Sequence, residues 1–265
     1  PSSKNYFTLL DDNHFLYFYQ NEGLWYLQDY SSEGLYCEHL LFNNPFRLNH
    51  IVNHQGIYLV GAISNYQLPE LVHIKESKNI GGEDALIIKL DQDYEIEDLK
   101  IYGGCLDEEF LKIAVSDEGL YLLGSKDPLT GGDFGNGGRL QDCLFLVRMN
   151  LDLELENFIV LNENLDVLAF DYYKDYLYLG IESGLYKFSE ELEVIQKKNF
   201  NEQYQYAILA SFNEMIFFRE KEILAINIFD FSFDTIESKY LTNIESLRAF
   251  EKALYFKNAD YYYYD

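Results

Sequence analysis

Gly56-Ile57-Tyr58-Leu59-Val60-Gly61 is answered, 63 residues on, by Gly119-Leu120-Tyr121-Leu122-Leu123-Gly124. Each stretch is a short apolar strand with one aromatic residue at a fixed place. Tyr17, Tyr178, Phe217 and Tyr255 occupy comparable runs, so the aromatic position returns at steps of 41, 63, 57, 39 and 38 residues. A strand-like unit recurring at about 40 residues is the signature of a β-propeller, whose blades each contain four strands.

On either side of these stretches, each repeat reads as up to four strands. Asn13 through Tyr17 with Gly23-Leu24 superpose on Lys174 through Tyr178 with Gly184-Leu185 at one constant offset of 161. After Tyr58 and Tyr121 the match resumes. Lys89-Leu90-Asp91-Gln92-Asp93-Tyr94-Glu95 corresponds to Arg148-Met149-Asn150-Leu151-Asp152-Leu153-Glu154, and in the fourth repeat to Lys187-Phe188-Ser189-Glu190-Glu191-Leu192-Glu193. The polar centre of each segment predicts a tight hairpin between third and fourth strands, with a cation just before it and an acid just after. That alignment overrides the helix-forming composition of residues 190–198. The expectation is one all-β domain, a six-bladed β-propeller. Its blades span residues 5–44, 45–103, 104–163, 164–200, 201–242 and 243–265. The last ends after three strands, with residues 1–5 on hand as a fourth. The six aromatic anchors are expected at equivalent positions, buried between blades.

The chain has 265 residues, 48% of them hydrophobic, which is ample for a core. Aromatic residues make up 17%, and they favour pleated, half-buried surfaces. The formal charge is −25, from 45 acidic and 20 basic residues. Such a surface repels nucleic acid and anionic lipid. It favours cations, basic partners or plain solubility. Of three cysteines, Cys143 lies in the apolar run Cys143-Leu144-Phe145-Leu146-Val147 and reads as a small core residue. No run of 18 apolar residues occurs, so no helical membrane insertion is expected. Pro1 in place of an initiator Met fits a trimmed or mature segment.

Residues 84–150 carry a resemblance to a known family. Tyr102-Gly103-Gly104 is followed by Asp107-Glu108, Ile113-Ala114-Val115 and Asp117-Glu118-Gly119-Leu120-Tyr121-Leu122-Leu123-Gly124, then Asp142-Cys143-Leu144-Phe145-Leu146-Val147-Arg148. Asp84-Ala85-Leu86-Ile87-Ile88-Lys89-Leu90 repeats the last part. This resembles the bacterial β-propeller repeat often called the SBBP repeat. The resemblance implies a propeller and an exported or cell-envelope setting, and it implies no catalytic residues.

The two long steps come from insertions between second and third strands, at residues 62–83 and 125–141. In a propeller these loops emerge on one face, and here they belong to neighbouring blades. Long loops on a rigid scaffold are where binding concentrates. The expected ligand-binding residues are Tyr66, His73, Asp127, Phe134, Asn136 and Arg139. That mixture suits a protein, peptide or carbohydrate ligand and not nucleic acid. No cofactor is expected. Asp127, Asp133 and Asn136 in the Gly-rich second insertion offer oxygens to Ca²⁺, but the spacing is not that of an EF-hand. Asp91, Asp93, Glu95, Glu97 and Asp98 read as the solvent side of an outer strand. His50 and His54 read as polar residues near the channel mouth. The leading function is a non-catalytic binding scaffold. Its rival is a hydrolase or lyase acting on carbohydrate, with acids such as Asp107, Asp166 or Glu245 at the channel mouth. A third reading is a purely structural module of a longer protein.

Overall fold

The computed structural model describes residues 5–11, 14–22, 24–42, 46–64, 82–104, 106–127, 132–134, 143–161, 166–210, 213–219, 222–237, 244–250, 253–258 and 262–264. The chain is all-β, and its strands pair antiparallel with their chain neighbours. Sheet 1 contains β1 (Tyr6–Asp11), β2 (His14–Asn21), β3 (Leu24–Ser31) and β4 (Gly34–Phe42). Sheet 2 contains β5 (Phe46–Asn53), β6 (Ile57–Ser64), β7 (Glu83–Leu90) and β8 (Ile96–Tyr102). Sheet 3 contains β9 (Glu108–Val115), β10 (Leu120–Lys126), β11 (Cys143–Met149) and β12 (Leu155–Val160). Sheet 4 contains β13 (Val167–Tyr173), β14 (Tyr176–Ile181), β15 (Gly184–Phe188) and β16 (Val194–Asn199). Sheet 5 contains β17 (Tyr206–Ala210), β18 (Glu214–Arg219), β19 (Glu222–Asn227) and β20 (Phe233–Glu237). Sheet 6 contains β21 (Ile244–Phe250), β22 (Ala253–Asn258) and β23 (Tyr262–Tyr264). Residues 1–4, expected to be available to the last sheet, lie outside the described residues.

Two compact units are distinguished, residues 1–164 and 165–265. In the first, β5 lies beside both β1 and β9, so the first strands of successive sheets are neighbours. The interface of sheets 1 and 2 is filled by Leu16, Phe18, Trp25 and Leu27 against Phe46, Leu48, Leu59 and Ile88. That of sheets 2 and 3 holds Tyr58, Val60 and Ile87 against Phe110, Leu122, Phe145 and Val147. In the second unit β17 lies beside β13 and β21, and Tyr178 and Leu185 pack against Met215, Phe217 and Leu224. Covered on both faces, the middle strands β6, β10 and β14 read as nearly continuous apolar runs rather than alternating ones.

The three predicted hairpins are one structure built three times. Tyr94, Leu153 and Leu192 adopt positive φ of 65°, 59° and 63°. Their amides donate to the carbonyls of Asp91, Asn150 and Ser189 at 3.2, 3.1 and 3.0 Å. The side-chain oxygens of these three residues also accept later amides of the turn, those of Glu95, Glu154 and Glu193 among them. Leu153 and Leu192 are fully buried, so packing holds each in a conformation that a branched side chain disfavours.

The anchors need a correction. Tyr58, Tyr121, Tyr178 and Phe217 are all buried, Tyr17 is half-buried, and the side chain of Tyr255 lies outside the described residues. They do not share one face. Tyr58 and Tyr178 point toward the following sheet, whereas Phe217 points back at sheet 4. Tyr17 lies on the face of sheet 1 opposite Leu16 and Phe18, the pair that meets sheet 2. The second hairpins explain this. Sheet 1 turns between Asn21 and Leu24, sheet 4 between Ile181 and Gly184, so the offset is 160 and Phe18 is the counterpart of Tyr178. Sheet 5 turns between Arg219 and Glu222, which makes Ile216 the counterpart. A slip of one residue exchanges the two faces of a strand.

Candidate functional site

Both insertions join second to third strands, as expected, but they are shorter than the sequence suggested. β6 continues through Ser64 and β7 begins at Glu83; β10 continues through Lys126. Lys126 extends its strand because it is only 2% exposed, paired across β10–β9 with Glu108 and across β10–β11 with Cys143.

The stems of the two insertions are tied to the segment that links sheets 2 and 3. Gly82 donates its amide to the Leu106 carbonyl at 3.1 Å, and Asp127 donates to the Asp107 carbonyl at 3.0 Å. The Asp107 carboxylate accepts the Glu83 amide at 2.8 Å. Further along the second insertion, a single 3-10 turn, Gly132–Phe134, folds back onto the same segment. Asp133 exchanges two hydrogen bonds with the backbone of Gly103, at 3.0 and 3.2 Å. Gly132 needs its φ of +75°, and a Cβ there would lie 2.2 Å from the Gly103 carbonyl.

Around these stems lies a cavity of about 310 Å³, lined by Arg47, Glu83, Asp107, Glu108, Glu109, Ser125, Lys126 and Asp127. In its lining the Arg47 guanidinium lies 2.6 Å from Glu83 and 2.9 Å from Glu109. Alternation in β5 turns Phe46 and Leu48 into the core and leaves Arg47 exposed. A bulge at Asn49, between Leu48 and His50, then re-aims the strand. Gly61 permits the approach, since a Cβ there would sit 1.8 Å from the Arg47 carbonyl. Asn49 donates to Glu109 and to the Phe110 carbonyl, both at 2.8 Å, and Ser125 donates to Glu109 at 3.2 Å. Glu109 thus holds three donors from two strands, Arg47 and Asn49 of β5 and Ser125 of β10. Lys126 donates to the Phe134 carbonyl at 2.9 Å. Burial pulls its ammonium below the usual lysine range, with Cys143 and Glu108 opposing that shift. The Glu108 carboxylate accepts the Gly104 amide at 3.0 Å.

Of the expected ligand contacts, Asp127 lines this cavity. Phe134 does not reach solvent. It is 2% exposed, stacked on Phe145 at 4.2 Å and edge-on to Phe110 and Phe158, and its role is to anchor the loop in the core. Tyr66, His73, Asn136 and Arg139 lie outside the described residues. Asp133, considered as a Ca²⁺ ligand, spends its carboxylate on Gly103, and among the described residues no three acids, histidines or cysteines are grouped as metal ligands. His50 accepts the Ile113 amide on Nδ1 at 3.4 Å, joining β5 to β9. Burial, helped by the charge of Lys112, pushes it down to about 4, so it is neutral at pH 7. His54 instead lies 3.4 Å from Asp117. Arg47, Glu83 and Glu109 were not singled out in the sequence. A charged residue interleaved with Phe46 and Leu48 at the head of a first strand is the signal that marks Arg47.

No protein-family model matches the chain, and no curated protein matches it in sequence. Solved structures do. The chain superposes on the Dos1 propeller with a TM-score of 0.60 at 9% identity, covering 95% of this chain and 64% of that one. A chain of the mitotic checkpoint complex gives 0.59 at 8% identity, covering 96% and 69%. BBS1N, solved in complex with ARL6DN, gives 0.52 at 10% identity, covering 92% and 71%. At such identities the likeness establishes fold alone: this is an all-β protein of repeated four-stranded sheets similar to β-propellers.

Proposed function

We propose that the protein is a six-bladed propeller serving as a non-catalytic binding scaffold, whose working surface is the rim built by the insertions of sheets 2 and 3. The observation that carries this reading is the convergence of both insertion stems on residues 103–107 around one charged cavity. The scaffold beneath is rigid, and the loops above it are free to differ from those of other sheets. Five acids and two cations line the cavity, on a chain of net charge −25. A ligand with a cationic group, such as a basic peptide, meets a complementary field there and is drawn to it from a distance. An exported or envelope setting, implied by the resemblance of residues 84–150 to the SBBP repeat, belongs to the same proposal.

A hydrolase reading needs two acids facing each other across a substrate. Glu83 and Glu109 do converge, but on the Arg47 guanidinium, which engages both. The binding reading is therefore preferred. Its test uses fluorescent Lys-rich, Glu-rich and neutral peptides against the wild type and Asp107→Asn/Asp127→Asn. Preferential binding of the basic peptide, weakened on the order of tenfold by the double variant, supports the site. Equal binding of all three peptides, or no effect of the substitutions, removes it.

A further inference from the structure

The third strands of sheets 2, 3 and 4 each carry a cation directly opposite the buried tyrosine of the second strand. The pairs are Tyr58 with Lys89, Tyr121 with Arg148 and Tyr178 with Lys187. Each third strand is followed by the same hairpin and then by a one-residue bulge in the fourth strand. Lys89 opposes Asp98 and Leu90 opposes Ile96, so Glu97 is the bulged residue. Arg148 opposes Asn157 and Met149 opposes Leu155, so Glu156 is bulged. In both sheets the bulged glutamate returns to the cation, at 3.0 Å in each case.

Sheet 4 keeps this geometry and lacks the acid. Lys187 opposes Gln196 and Phe188 opposes Val194, which leaves Ile195 at the bulge. Ile195 is 53% exposed, and Lys187 is 6% exposed with neither an ion pair nor a hydrogen bond among the described residues. Its ammonium lies instead against aromatic rings, 3.8 Å from the centroid of Tyr176 and 5.8 Å from those of Tyr178 and Phe229. A second ammonium, Lys174, approaches Phe229 at 5.0 Å and donates to Asn213 at 2.9 Å. It too makes no contact with a carboxylate among the described residues. In a chain with 45 acids and 20 bases, two lysines sharing one ring with no acid between them is a departure from the surrounding pattern. Ring faces attract cations, but they supply far less than a carboxylate does to a desolvated ammonium. Burial lowers the proton affinity of Lys187, as an ammonium without its counterion requires.

We infer that Lys187, which shares the exposed ring of Phe229 with Lys174, is the seat of an external carboxylate, which takes the place that Glu97 and Glu156 fill in the sister sheets. The ligand is a carboxylic acid with a flat apolar body that lies on Phe229, which is 41% exposed.

The test is internal to the repeat. Full-length wild type, Ile195→Glu, Lys174→Gln and Lys187→Met are melted in sodium benzoate, sodium acetate, sodium phosphate and sodium chloride at equal ionic strength. Benzoate raises the melting temperature of the wild type above that in chloride, and acetate does so less. Ile195→Glu melts higher than the wild type in chloride, because it restores the internal pair, and it no longer responds to benzoate. Lys174→Gln binds benzoate on the order of tenfold more weakly by calorimetry, and it keeps the test decisive if Lys187→Met fails to fold. A wild type indifferent to both carboxylates overturns the inference. So does a benzoate response in Ile195→Glu equal to that of the wild type, or phosphate stabilisation as large as that by benzoate.

Discussion

At the residue scale, two tyrosines with the same burial differ in what their hydroxyls meet. Tyr58 is fully buried and its hydroxyl has no hydrogen-bond partner among the described residues, whereas Tyr178 donates to the Ile228 carbonyl at 3.3 Å. Truncating either to Ala removes a large aromatic group from an inter-sheet core and should cost about 3–5 kcal/mol in urea unfolding. Tyr58→Phe should be neutral or stabilising, and Tyr178→Phe should cost about 1 kcal/mol, since only the second loses a bond. An equal loss for both Phe variants would contradict this assignment. His50 yields a pH dependence. Its folded value of about 4 lies below the ordinary 6.5, so the unfolded chain binds the proton more readily. Its contribution is complete above about pH 6.5 and is lost as the pH falls toward 4, a change of about 1–3 kcal/mol for a half-buried ring. The difference in stability between wild type and His50→Gln, followed by urea unfolding from pH 7 to pH 4.5, should shrink by that amount.

At the element scale, turns and glycines decide register. Asn150 accepts the amides of Asp152 and Glu154 at 3.0 and 2.9 Å. Asn150→Ala leaves both amides without that acceptor and should cost about 1 kcal/mol, while Asn150→Asp should retain most of it. Thermal melts of the two variants check this. Gly61→Ala is harsher, because its Cβ would meet the β5 backbone at 1.8 Å. It should push β5 outward, displace Arg47 and destabilise by about 1–3 kcal/mol, and a melting curve like that of the wild type would refute the close approach. The hairpins were legible in the sequence because their chemistry is local: Asp91, Asn150 and Ser189 hold their own turns. The facing of the strands was less so. An aromatic residue in an apolar run covered on both faces carries no mark of which face it takes, and Tyr17 and Phe217 were one residue out of register for that reason.

At the scale of the whole molecule, the charge of −25 predicts salt sensitivity of any basic partner. Affinity for a Lys-rich peptide should fall by on the order of tenfold between low and physiological salt, read by fluorescence titration, and a salt-independent affinity would contradict the electrostatic account. Residue types, the repeated step and the turn-forming segments by themselves determined an all-β chain of repeated sheets, with insertions in the second and third and a cation ahead of each shared hairpin. These are properties of local backbone preference and of spacing along the chain. Only the tertiary structure decided that Phe134 is a core residue and not a contact. It also placed Arg47, Glu83 and Glu109 together across 62 residues of sequence and showed Ile195 standing where the sister sheets put an acid. The physical reason is the same in each case. Burial and counterion pairing are set by which strands and loops pack against one another, and no local pattern records the identity of a distant neighbour.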